Sequence, residues 1–155
     1  MFNKLLKFSL FLLILLINHA AFATNTAYHS SNLTSIGSGT QNSAFGTNAL
    51  ASMVTGHGNS GYGYNSLQLN TGTGNTAIGS WALADNTTGD YNNAFGRRAL
   101  LANQSGSSNM AFGFQSLTSN TNGSNNVVMG HQSGYSNQTG SGNIFIGYQS
   151  GYSET

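Results

Sequence analysis

Apolar and polar positions along this chain recur as a block. From Asn25 onward an Asn is followed by a variable residue, then usually Ala, then an aromatic or aliphatic residue, and Gly usually closes the run. The blocks start at Asn25, Asn42, Asn59, Asn75, Asn92, Asn109, Asn126 and Asn143, 17 residues apart except for one 16-residue step after Asn59. A second anchor keeps the same beat. Leu33, Leu50, Leu67, Leu83, Leu100 and Leu117 each lie eight residues after their Asn, and Gly134 and Gly151 hold that place in the last two blocks. Gly39, Gly56, Gly72, Gly89, Gly106, Gly123 and Gly140 mark a return turn. Such a fixed period is the signature of a repeat architecture.

Each block is too short for a helical hairpin, and a Gly in every half-block opposes helix. Short apolar runs such as Val127-Val128-Met129, bounded by Asn and Gly, predict strands of about three to five residues. Asn and Gly suit the corners because both tolerate positive φ. One block then reads as strand, turn, shorter strand and turn. Eight such coils stacked at about 4.8 Å make a rod roughly 35–40 Å long. Period 2 puts the first and third residues after the Asn on one side of the strand and the second on the other. Size suggests Phe45, Ile78, Phe95, Phe112, Met129 and Ile146 inside, facing the Leu ladder. Ala44, Ala77, Ala94 and Ala111 then point outward, small enough to admit a close-packed neighbour, which hints at self-association.

The N-terminus carries a different pattern. Lys4 and Lys7 precede an apolar run from Phe8 to Ile17, and Ala21-Phe22-Ala23 supplies a small-x-small box. This is the three-part pattern of a signal peptide, expected over residues 1–23, leaving 24–155 as the repeat domain. The run falls short of the roughly 20 residues of a spanning helix, so no membrane span is expected in the mature chain. Export to the medium or to a bacterial cell surface or outer membrane follows.

Composition narrows the chemistry. The chain of 155 residues has no Cys and no Pro, and 5% of it is charged. Disulfides, thiolate metal sites and Cys nucleophiles are excluded together. After removal of the leader, Arg97 and Arg98 stand against Asp85, Asp90 and Glu154, two charges against three, for a net −1. That is no footprint for nucleic acid. Abundant Asn, Ser, Thr and Gly also fit disorder, but the regular apolar positions oppose it.

The runs Asn42-Ser-Ala-Phe-Gly, Asn75-Thr-Ala-Ile-Gly and Asn109-Met-Ala-Phe-Gly resemble the head repeats of trimeric autotransporter adhesins, with a longer period than that family usually has. The final stretch, Asn143 to Thr155, also looks like repeats of tail-fibre-like surface proteins. The adhesin resemblance covers Asn25 to Thr155. It implies an all-β fold, a left-handed parallel β-roll or β-solenoid of about eight 16–17-residue coils, assembled as a homotrimer. It also implies attachment to host extracellular matrix protein, cells or glycans. No stalk or barrel anchor is apparent in the sequence.

Enzymatic chemistry is not expected. Asp85 and Asp90 flank the turn Asn86-Thr87-Thr88-Gly89, and His29, His57 and His131 occupy different offsets in distant coils, so no metal or catalytic set is in prospect. Gly72-Thr73-Gly74 lacks the following helix of a phosphate loop, and no cofactor is implied. Sequons occur at Asn32, Asn86, Asn103, Asn122 and Asn137. Candidate partner-binding residues are the exceptions to the repeat. Tyr64, Phe114, His131 and Tyr148 share the position after Gly, Trp81 lies one place further on, and Arg97-Arg98 is the one basic pair of the mature chain. The leading expectation is a non-enzymatic surface or secreted adhesin head. A structural fibre shaft is the alternative, and an ice-binding solenoid with Thr71, Thr88 and Thr139 in its turn rank is a third.

Overall fold

The structure, a computed structural model, describes residues 26–27 and 38–153. The expected leader, His29, Asn32 and Leu33 lie outside the described residues. Each sequence repeat contributes one strand: β1 (Thr26–Ala27), β2 (Ser43–Phe45), β3 (Ser60–Tyr62), β4 (Thr76–Ile78), β5 (Asn93–Phe95), β6 (Met110–Phe112), β7 (Val127–Met129) and β8 (Ile144–Ile146). They make a single parallel sheet in chain order. Equivalent residues sit in register, as in Ala94 opposite Ala111 and Phe95 opposite Phe112. The fold is an all-β parallel solenoid of about six turns, with no helix among the described residues.

The expected second strand of the coil does not form among the described residues. Two residues there adopt left-handed backbone, such as Arg98 (φ 61°) and Leu100 (φ 51°), which breaks the extended geometry a strand needs. The coils still bond there, Leu83 N–H to Ala99 O and Leu100 N–H to Ser116 O, both at 3.0 Å. Left-handed geometry costs an L residue roughly 1–2 kcal/mol. Complete burial of Leu50, Leu67, Leu83, Leu100 and Leu117 offsets that cost. Gly134 (φ 60°) and Gly151 (φ 63°) take the slot without strain. The Gly that closes each of β2 to β7 is needed for space as well as for φ. A Cβ on Gly79 (φ 136°) would lie 2.6 Å from the carbonyl carbon and oxygen of Gly96 in the next coil.

The strand faces are the reverse of the size-based expectation. Ala44, Ala77, Ala94, Ala111 and Val128 are buried, while Phe45, Tyr62, Ile78, Phe112, Met129 and Ile146 are exposed. A coil of this length encloses a cavity too narrow for a rank of aromatic rings opposite a rank of Leu. The small residue therefore goes in and the large one goes out.

Asn, expected at corners, instead lines the interior. Asn42, Asn59, Asn75, Asn92, Asn109 and Asn126 are fully buried. The Asn92 N–H donates to Asn75 Oδ1 at 2.9 Å, and Asn92 Nδ2 donates to Gly106 O at 2.8 Å, tying the start of a coil to its own return turn. Asn109 N–H and Nδ2 then donate to Asn92 Oδ1, at 3.0 and 3.1 Å. A second spine runs beside the first. Asn86 Nδ2 reaches Asn70 Oδ1 and Asn103 Nδ2 reaches Asn86 Oδ1, each at 2.6 Å. Both spines meet at the return-turn carbonyls: Gly89 O accepts from Asn75 Nδ2 at 2.8 Å and from Asn86 Nδ2 at 2.9 Å. The left-handed corner lies one residue before the first spine, at Gln41, Tyr91, Ser108 and Asn125 and at Gly58, Gly74 and Gly142.

Candidate binding surface

Because the strands turn their large residues outward, the sheet presents a flat rank of exposed apolar groups. The column beside the spine carries Ser43, Ser60, Thr76, Asn93, Met110, Val127 and Ile144, and the column two residues on carries Phe45, Tyr62, Ile78, Phe95, Phe112, Met129 and Ile146. None is charged. Rings on successive coils touch, Phe45 with Tyr62 at 6.1 Å and Phe95 with Phe112 at 5.7 Å between centroids.

The residues that break the repeat collect into two groups across the Gly corner from this face. Arg97, Phe114, His131 and Tyr148 form one column. The Arg97 guanidinium lies 5.8 Å from the Phe114 centroid, Phe114 and His131 are 5.1 Å apart, and His131 and Tyr148 are 5.4 Å apart. Their planes are inclined by only 31° and 27°, so the rings largely face one another along the stack. A sugar that stacks on aromatics needs an open ring face, and Phe114 and His131 have spent theirs on neighbours. Tyr64 and Trp81 form the second group, edge to face at 5.7 Å and 70°. Trp81 (φ 63°) and Arg98 (φ 61°) occupy the same left-handed slot on adjacent coils.

Three of the turn hydroxyls are committed to the fold. Thr71 Oγ1 donates to Thr87 O at 2.7 Å, Thr87 Oγ1 to Gln104 O at 2.9 Å and Thr121 Oγ1 to Gln138 O at 3.1 Å. They bridge coils, and of the Thr rank expected in the turn this takes in Thr71, while Thr88 and Thr139 are exposed. Asp90 Oδ1 accepts the Thr73 N–H at 2.7 Å. Partial burial raises the pKa of Asp85 above the ordinary aspartate value. No group of His, Cys, Asp or Glu able to hold a metal ion occurs among the described residues. No helix among them is long and apolar enough to cross a membrane.

The outward strand columns are the surface that size-based reasoning missed. The sequence did contain a signal for them. Where the Leu slot becomes Gly134 and Gly151, the middle strand residue grows from Ala to Val128 and Phe145. A Cβ on Gly134 would lie 3.1 Å from the Phe145 ring and 3.4 Å from Val128 Cγ1. Volume exchanged between two positions means that they face each other, which places the middle residue inside. Comparison of the chain with protein-family models, curated proteins and solved structures finds no match.

Proposed function

We propose that this chain is a non-enzymatic, exported β-solenoid that associates with copies of itself through its strand face and acts in attachment to host matrix, cells or glycans. The association state is a homotrimer of left-handed coils, eight to a chain, as the repeat count and the adhesin resemblance imply. The observation that carries the proposal is the uncharged apolar face itself. At about 150–250 Å² for a large side chain, the exposed residues from Phe45 to Ile146 leave on the order of 800–900 Å² open to water. An ordinary monomer's largest apolar patch is about 300–600 Å², and one partner of a standard interface contributes about 800 Å². A second copy fits this face better than an unrelated protein, because its rungs repeat at the same ~4.8 Å spacing. One face per chain, turned toward a common axis, closes into a ring without leaving an open end.

The column from Arg97 to Tyr148 flanks that face, at the seam between neighbouring chains. Arg97 and Arg98 stay at the rim, where charge selects partners more than it adds affinity. Light scattering on the folded protein tests the assembly: a trimer mass is expected, and a monodisperse monomer with β circular dichroism overturns it. Arg97→Ser with Arg98→Gln tests attachment separately. Circular dichroism is expected to be unchanged while binding to an acidic glycan or matrix surface weakens. Binding that survives on every tested surface removes the basic pair from the attachment role.

A further inference from the structure

We propose that the fold sorts the sequons of this chain. Asn122 can carry an N-linked glycan, whereas glycosylation of Asn86, Asn103 or Asn137 is incompatible with the solenoid. The inference is independent of what the strand face binds. The sequons Asn86-Thr-Thr, Asn103-Gln-Ser and Asn137-Gln-Thr all place their Asn in the second interior column, where the three side chains are 0%, 0% and 1% exposed. The amide nitrogen a transferase would modify is engaged in each. Asn86 Nδ2 donates to Asn70 Oδ1 at 2.6 Å and to Gly89 O at 2.9 Å. Asn103 Nδ2 donates to Asn86 Oδ1 at 2.6 Å and to Gly106 O at 2.9 Å. Asn137 Nδ2 donates to Gly140 O at 3.3 Å while its Oδ1 accepts the Gly140 N–H at 2.9 Å.

Asn122-Gly123-Ser124 is shifted by two residues and lands on the turn apex. Its Asn is exposed. The bond it makes, from Thr121 Oγ1 to Oδ1 at 3.4 Å, leaves Nδ2 without a partner among the described residues. In the modification, a lipid-diphosphate-linked oligosaccharide is the donor. Its C1–O bond to phosphate breaks, a C1–Nδ2 bond forms, one amide proton is lost and the lipid diphosphate leaves. At the buried positions the attached sugar would occupy the space of the neighbouring Asn and remove an N–H that the spine uses. A transferase acting on the chain before it folds would therefore block folding, so efficient export requires a route that leaves these three sequons unmodified.

The test compares the full chain made in bacteria lacking N-glycosylation with the same chain secreted by a eukaryotic cell that N-glycosylates. The triple variant Thr88→Ala, Ser105→Ala, Thr139→Ala, which alters three exposed side chains, goes through both routes. Bacterial wild type and variant are expected to share the same β circular dichroism. From the eukaryotic cell, chains glycosylated at Asn86, Asn103 or Asn137 are expected only in the unfolded or retained fraction. The triple variant is expected to raise the folded secreted yield severalfold and to carry its glycan at Asn122. Folded secreted protein with a glycan at any of the three buried positions overturns the proposal. So does a folded triple variant in which Asn122 is never modified.

Discussion

Two halves of the solenoid solve the same backbone differently. In the coils of β2 to β5 the strand shows Ser43, Ser60, Thr76 and Asn93 beside the spine, and the interior pairs Ala44, Gly61, Ala77 and Ala94 with Leu50, Leu67, Leu83 and Leu100. In the coils of β6 to β8 the outward column becomes Met110, Val127 and Ile144. The interior passes from Ala111 with Leu117 to Val128 with Gly134 and Phe145 with Gly151. Volume has moved from the turn to the strand inside, and apolar surface has grown outside. Register and strand length do not change. The lesson is that the coil constrains total interior volume and the left-handed slot, not the identity of either residue. The Asn spines, common to both halves, are what keep the cross-section constant.

The largest effect should come from breaking what the halves share. Asn92→Ala removes the side-chain bonds to Asn75, Gly106 and Asn109 and strands the Asn109 N–H in the interior, while Gly106 O keeps Asn103 Nδ2 and Asn109 Nδ2 keeps Gly123 O. At about 1–3 kcal/mol for the stranded N–H and about 0.5–1.5 kcal/mol for each lost side-chain bond, we expect a loss of about 3–5 kcal/mol in urea denaturation. That is a large share of the ~5–15 kcal/mol of an ordinary domain. A loss below about 1 kcal/mol would mean that the spine is incidental.

Next comes the volume exchange. Gly134→Leu restores the N-terminal choice in the C-terminal half, with Phe145 already occupying the space. Overpacking should cost about 1–3 kcal/mol. Adding Phe145→Ala should recover part of it, with a coupling of about 1–2 kcal/mol in the double-mutant cycle. Strict additivity would show that the two positions do not share one cavity.

The outward columns differ by less. Val127→Asp should weaken self-association by roughly 10–100-fold in sedimentation equilibrium, since it puts an unpaired charge into an apolar contact. Ser60→Asp, in the polar half, should change it by only about 2–3-fold, as rim substitutions do. Equal effects would remove the C-terminal half as the anchor.

The smallest effect is confined to the N-terminal half. Asp85 holds its proton more tightly folded than unfolded, because partial burial disfavours the carboxylate. Its contribution is present below the ordinary aspartate range and is lost as pH rises through the raised folded value. Asp85→Asn should flatten the stability profile from about pH 4 upward. An unchanged slope would mean that the carboxyl is fully solvated in the fold.

Much of this was legible along the chain. The period located every strand, and the Gly after each of β2 to β7 announced a corner that its positive φ and the backbone of the next coil both require. The Leu column was correctly inside. The aromatic exceptions stood out by position, yet nothing linear said that Phe114 and His131 spend their faces on each other, because ring tilt is set by the stack. Trp81 stands one place further from its Gly than Tyr64 does, yet the two rings meet edge to face across the coils, a contact that position along the repeat does not announce.

What the sequence alone determined is the repeat, the strand positions and the alternation of faces. It could not sign that alternation. A three-residue strand with a small middle residue between larger ones reads equally well with either face inward. The sign came from the width of the closed coil, which admits Ala opposite Leu and excludes Phe. The role of Asn was decided the same way. Its tolerance of corners and its capacity to bond across stacked coils are both properties of one amide. Only stacking, with each Oδ1 taking the N–H of the next coil, selected the second.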